Sequence, residues 1–144
     1  MLRTIKSVAE LGQYLARKYG NQPQESCWLI AVNTQMRVLE IQQVAQGTLD
    51  GVSIHPRDIF RRLVALNAYG FILVHNHPSG HLKASLADRL FMRQLAYCST
   101  MMQLHFFDFM IIGLDGFMSL RATGELPKIS LESLYDLWTD ANKL

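Results

Sequence analysis

A chain of 144 residues with 49% hydrophobic and 18% charged side chains is long enough to bury one hydrophobic core, and its composition excludes a disordered or fibrous protein. Fourteen basic against twelve acidic residues leave a net charge of +2, and the only adjacent basic pairs are Arg17-Lys18 and Arg61-Arg62, so the concentrated positive stripe of a dedicated nucleic-acid binder is missing. No run approaches the roughly 18 apolar residues of a membrane span. The opening segment also lacks the apolar stretch and cleavage site of a signal peptide, which points to a cytoplasmic protein with no membrane partner.

In chain order, Val8, Leu11, Leu15 and Tyr19 fall at helical spacing behind Ser7 as cap, and Gly20 and Pro23 end that first helix. Ser26 to Val32 is an apolar run of strand length, and Cys27 within it reads as a buried, reduced thiol, as does the distant Cys98. A turn at Asn33-Thr34-Gln35 leads to a second strand over Arg37–Ile41, which predicts a hairpin. Pro56 opens a helix whose apolar face is Ile59, Phe60, Leu63, Val64 and Leu66, closed by Gly70.

Phe71-Ile72-Leu73-Val74 predicts a central strand covered on both faces. It runs directly into His75-Asn76-His77-Pro78-Ser79-Gly80. A helix from Ser85 to Tyr97 follows, with Leu86, Leu90, Phe91 and Leu95 expected to face inward. Strands are predicted over Phe106–Ile112 and Phe117–Leu120. In the final segment, from Pro127 to Leu144, Leu131, Leu134, Tyr135 and Trp138 fall at helical spacing with Ser130 as cap. There is no internal repeat, low-complexity tract or linker. The alternation of elements predicts one α/β domain with helices packed on a sheet, ending in a helical extension over 127–144. That extension either docks on its own domain or offers an apolar stripe to a partner, a second copy of the chain (a homodimer) included.

Chemistry concentrates where the apolar strand ends. His75 and His77 are two residues apart, so in extended backbone their rings point to one side and can share a metal ion. Asp88 lies in the first turn of the next helix, and the Pro-Ser-Gly turn folds it back toward them. Two histidines and a carboxylate leave one position of a tetrahedral zinc open for water, the pattern of a catalytic site. Each part has a plainer reading. A His-x-His pair alone is common, Ser85 and Asp88 have the spacing of a capping box, and Pro78-Ser79-Gly80 is a turn sequence.

Together, His75, His77, seven residues, Ser85, two more and Asp88 match the pattern H-x-H-x7-S-x2-D, and on it the chain resembles the JAMM (MPN/JAB-domain) metalloproteases. HNHPSG, the upstream GTLDGVSIHPRDIF and the downstream FDFMIIGLDGFMSL are similar to the RadC-like branch. The resemblance covers residues 23–126. It implies an MPN/JAB-type α/β fold of cytidine-deaminase-like architecture, a mixed central sheet flanked by helices, over a domain of residues 1–126 with the extension 127–144 beyond it. It also implies one Zn2+ per chain held by His75, His77 and Asp88. It further implies that Ser85 helps hold an oxyanion and that an upstream glutamate, Glu25, acts on the zinc-bound water. Without the resemblance, Glu25 reads as a solvated residue at a strand edge, and Glu40 competes for the role.

The sequence departs from that branch at Asp108, which is followed by Phe109 where a histidine is common, and in having room for only one helix before the domain. His81 reads as a loop residue and His55 and His105 as structural. The resemblance implies a metallopeptidase or isopeptidase acting on a peptide or protein substrate. A DNA-processing role, suggested by the branch's repair-associated name, and a non-catalytic MPN scaffold are the alternatives, and the intact ligand set argues against the scaffold. Contiguous His75-Asn76-His77 is not the dispersed motif of HNH nucleases. The H-x-E with P-C-x-x-C of zinc deaminases and the H-E-x-x-H of zincins are absent.

Overall fold

The computed structural model describes residues 2–47 and 54–141, so residues 48–53 of the upstream stretch GTLDGVSIHPRDIF lie outside the described residues. Elements follow in the order α1 (Val8–Tyr19), β1 (Ser26–Val32), β2 (Val38–Gln46), α2 (Pro56–Ala65), β3 (Gly70–Asn76), α3 (Leu86–Met102), β4 (His105–Ile112), β5 (Phe117–Ser119) and α4 (Leu131–Ala141). The five strands form one mixed sheet in the order β2-β1-β3-β4-β5. β1 is antiparallel to both β2 and β3, β3 is parallel to β4, and β5 returns antiparallel to β4. Parallel strands need a long crossover, and α3 supplies it between β3 and β4.

Every residue of β1 and β3 is buried, as a strand sandwiched between helices requires. One face packs Leu29, Phe71, Leu73, Phe109 and Ile111 against α2 and α3. The other packs Trp28, Ile30, Ile72, Val74 and Met110 against Leu11 and Leu15 of α1. The sequence-predicted α/β domain with a mixed sheet flanked by helices is the observed architecture. Both cysteines are free thiols, Cys27 buried and Cys98 half-buried. No described helix is long and apolar enough to cross a membrane.

Several expectations are corrected. α3 does not stop at Tyr97 but runs to Met102, because no breaker intervenes before Gln103, which caps it in the left-handed region at φ 57°. Leu86 and Leu90 do not face inward: they are 74% and 58% exposed. The buried face is Asp88, Phe91, Met92, Leu95, Ala96 and Ser99. Val64 is likewise exposed, because the inward face of α2 is set by Ile59, Phe60 and Leu63. The strand expected over Arg37–Ile41 runs over Val38–Gln46, since β2 is a sheet edge, where Gln42, Gln43 and Gln46 reach solvent. Gly70 opens β3 rather than closing a helix. A Cβ there would collide with the Phe107 ring and the His105 carbonyl. On α4, Leu131 and Tyr135 are exposed and Leu134 is half-buried; the side chain of Trp138 lies outside what is described.

Candidate metal centre

The C-terminal end of β3 is held on both sides. His75 pairs with Cys27 of β1 and Ile111 of β4, and one residue past Asn76 the His77 N–H donates to the Ile112 carbonyl at 2.9 Å. Extended backbone therefore persists to His77, and a period of two puts both imidazoles on the α3 side of the sheet. The chain then reverses through a turn closed by Gly80, whose N–H donates to the His77 carbonyl at 3.0 Å with a φ of 84° that favours glycine.

Ser85 caps α3: its Oγ accepts from the Asp88 N–H at 3.0 Å, and its own N–H donates to Asp88 Oδ2 at 2.8 Å. This capping box fixes the Asp88 rotamer and turns the carboxylate toward the strand end. His75, His77 and Asp88 are all buried, and one ligand atom from each lies within 4.8 Å of the others. The plain reading of Ser85 as a cap and the reading of Asp88 as part of a polar cluster are thus the same fact, for the cap aims the acid.

Hydrogen-bond bookkeeping shows what this cluster is suited to hold. Nδ1 of His77 lies 2.6 Å from the His81 carbonyl, which can only accept, so Nδ1 carries the proton and Nε2 of the neutral ring presents a lone pair. That Nε2 faces Asp88 Oδ2 at 3.1 Å, and an ionised carboxylate also only accepts. Nδ1 of His75 lies 2.7 Å from Asp88 Oδ1 and donates to it. Nε2 of His75 is left buried with no hydrogen-bond partner. The cluster thus holds lone pairs of both histidines and of the carboxylate with too few protons among them. A cation bound there would satisfy them, and the His77 ring already has the outward Nδ1 bond that orients metal-binding histidines, whereas Nδ1 of His75 is bonded to Asp88 itself.

Electrostatics agree. Burial opposes the charge of Asp88, but hydrogen bonds with His75, His77 and the Ser85 N–H outweigh it and hold the carboxyl well below its usual range. The hydrogen bond to Asp88 raises the pKa of His77 against burial, with the His81 carbonyl adding to the rise. Cys27 lies beside His75 in the sheet, where burial, and after it the charge of Asp88, push its thiol far up.

The structure separates the two glutamates. Glu25, immediately before β1, places Oε2 at 4.0 Å from the unpartnered Nε2 of His75 and is about a third exposed at 32%. Glu40 is instead ion-paired with Arg62 through both carboxylate oxygens, and this guanidinium contact lowers its pKa. It is engaged between β2 and α2 and has no contact with the histidines. His81 contributes its backbone carbonyl, not its ring. His105 stacks on Tyr69 with centroids 4.3 Å apart at the opposite end of β4, and His55 precedes α2, its N–H donating to Asp58 at 3.3 Å. Asp108 is buried and accepts from the Ser119 hydroxyl and the Arg121 N–H.

One residue escaped the sequence reading. Asn76 is fully buried, and its side chain bonds to Ser26, Gln22 and Gln24. An amide in an otherwise apolar strand interior was the signal, masked by the histidines on either side.

Comparison with known proteins gives the family of the chain. The family model described as the RadC-like JAB domain matches residues 5–125. Similar curated proteins include a UPF0758 protein of Pelodictyon phaeoclathratiforme, 32% identical over 124 residues, covering 86% of this chain and 56% of the relative. A UPF0758 protein of Latilactobacillus sakei is 34% identical over 122 residues, covering 85% and 54%. Another, of Chlorobaculum parvum, is 33% identical over 119 residues, covering 83% and 54%. The chain spans about half the length of these curated relatives. With its matched span enclosing the whole sheet and the His75-His77-Asp88 cluster, the chain belongs to the RadC-like JAB domain family.

Proposed function

We propose that this chain is a zinc-dependent hydrolase that cleaves amide bonds in a peptide or protein substrate, as a peptidase or isopeptidase. The observation that carries the reading is the buried cluster of His75, His77 and Asp88, one ligand atom of each lying within 4.8 Å of the others, with Nε2 of His75 buried and unpartnered. Two imidazoles and one carboxylate suit zinc and leave a position open, as catalytic zinc sites do. When bound, zinc lowers the pKa of a coordinated water to about 7 and polarises a carbonyl.

This chain's residues supply the rest. Glu25, the one carboxylate beside His75 other than Asp88 among the described residues, accepts the proton of the attacking water and delivers it to the leaving nitrogen. The Ser85 hydroxyl uses a lone pair to cap α3 and keeps its hydrogen free to donate to the oxyanion, a contribution of about 10²–10³ in rate. The test is a proteome-wide comparison of cleavage products between wild type and Glu25→Gln, each loaded with zinc. New termini that depend on Glu25 are expected, and identical product sets would overturn the proposal.

A further inference from the structure

We infer that Asn76 is a positioning residue that sets the place of Glu25 by clamping the backbone on either side of it from the opposite face of the sheet. The inference rests on the proposed role of Glu25 at the metal centre, and it identifies a part of that centre outside the H-x-H-x7-S-x2-D residues.

Alternation along β3 places Asn76 on the face opposite His75 and His77, the face covered by α1. Oδ1 accepts from the Ser26 N–H at 2.6 Å, and Nδ2 donates to the carbonyls of Gln24 at 3.0 Å and Gln22 at 3.4 Å. Regular pairing of β1 with β3 ends at Cys27 and His75. Beyond that point the Asn76 amide takes over the ladder, bonding the residue before Glu25 and the residue after it. The Glu25 carbonyl is held from the other side by the Gly47 N–H at 2.6 Å. Glu25 has the same parity as Cys27, so backbone fixed in this way directs its side chain to the α3 side, where Oε2 meets Nε2 of His75.

The residue type follows from the demand. The site needs one acceptor and two donors on a short planar group inside a fully buried environment, and asparagine provides them. Aspartate of the same shape keeps the acceptor but sets a carboxylate against two carbonyl oxygens. Leucine or alanine leaves the buried Ser26 N–H without this partner and removes the bonds to the partly buried Gln24 and Gln22 carbonyls, and an unpaired buried donor is costly. The hydrogen bonds of the Asn76 side chain go to Ser26, Gln24 and Gln22 and to none of His75, His77 and Asp88, so its effect passes through the backbone that carries Glu25.

The test uses Asn76→Ala and Asn76→Asp, the latter carrying it should the alanine variant fail to fold. Each is loaded with cobalt(II), whose visible spectrum reports groups around the metal, and compared with wild type, Glu25→Gln and the Asn76→Ala/Glu25→Gln double variant. The Ser26 amide is followed by hydrogen exchange in the same samples. We expect about one cobalt per chain throughout, Ser26 exchange accelerated about tenfold or more in the Asn76 variants, and a spectral change resembling that of Glu25→Gln. In the Glu25→Gln background the Asn76 substitution adds no further spectral change. A wild-type spectrum in the Asn76 variants, an unaltered spectrum in Glu25→Gln, or an equal change in both backgrounds would overturn the inference. Absence of Glu25-dependent cleavage products with these spectra intact would instead remove the proposed hydrolysis and leave the clamp standing.

Discussion

Oδ2 of Asp88 lies 3.1 Å from Nε2 of His77, two atoms that both present lone pairs once the His77 ring is fixed by the His81 carbonyl. A proton or a metal ion must sit between such atoms, and the two compete. Stability, metal affinity and pH are therefore coupled through this contact.

The first consequence is thermal. Metal bound only by the folded chain stabilises it by about 2.7 kcal/mol at a free concentration 100-fold above the dissociation constant. Zinc should raise the melting temperature of the chelator-treated wild type, whereas Asp88→Ala should show little response. Calorimetry with and without zinc measures both.

The sign of the pH dependence follows from His77. Its hydrogen bond to Asp88 raises its pKa above the ordinary 6.5. In the metal-free protein, this contribution to stability is fully present below the ordinary pKa and is lost as pH rises through the raised value. A metal ion needs the neutral ring, so its affinity moves the other way. The zinc-induced shift in melting temperature should be larger at about pH 8 than at about pH 5.5. Measurements at a series of pH values with fixed free zinc would show it.

Asp108 behaves oppositely to the acid of the metal centre. Burial raises its pKa, with the bonds from Ser119, Arg121 and Phe109 pulling the other way. A raised carboxyl pKa in the folded state means that stability falls as pH rises from the unfolded value through the folded one. Asp108→Asn keeps an acceptor for the Arg121 N–H, can donate to the Ser119 oxygen, and should remove that fall. Asp108→Ala strands both partners and should cost about 1–3 kcal/mol at neutral pH. Urea melts at several pH values distinguish the two.

The orientation of α3 can be checked with two leucines. Leu95 is fully buried, so Leu95→Ala should cost about 2–5 kcal/mol. Leu90, 58% exposed, should change stability by no more than about 0.5 kcal/mol when replaced by alanine. Equal costs would mean that the helix is rotated from the face described.

That orientation also shows where sequence reading stopped. The apolar positions of α3 offer two stripes, and the rule that apolar residues face inward selects Leu86 and Leu90. The fold selects the other stripe because Asp88 has to be buried with the histidines, and 0% exposure of an aspartate is not something periodicity can anticipate. The metal cluster itself was legible, because the spacing of His75 and His77 on a strand and of Ser85 and Asp88 on a helix start is local geometry. Asn76 was not, since its partners Gln22, Gln24 and Ser26 are about fifty residues away in sequence. Glu25 came from the family resemblance alone, and local sequence could not show that Glu40 is ion-paired with Arg62, twenty-two residues away.

The most direct test is metal stoichiometry. Wild type purified with zinc available and then desalted should carry about one zinc per chain, the number a single His2Asp cluster binds, and His77→Ala should carry little or none. Wild type without zinc, or His77→Ala with as much zinc as wild type, would contradict a metal centre built on His75, His77 and Asp88.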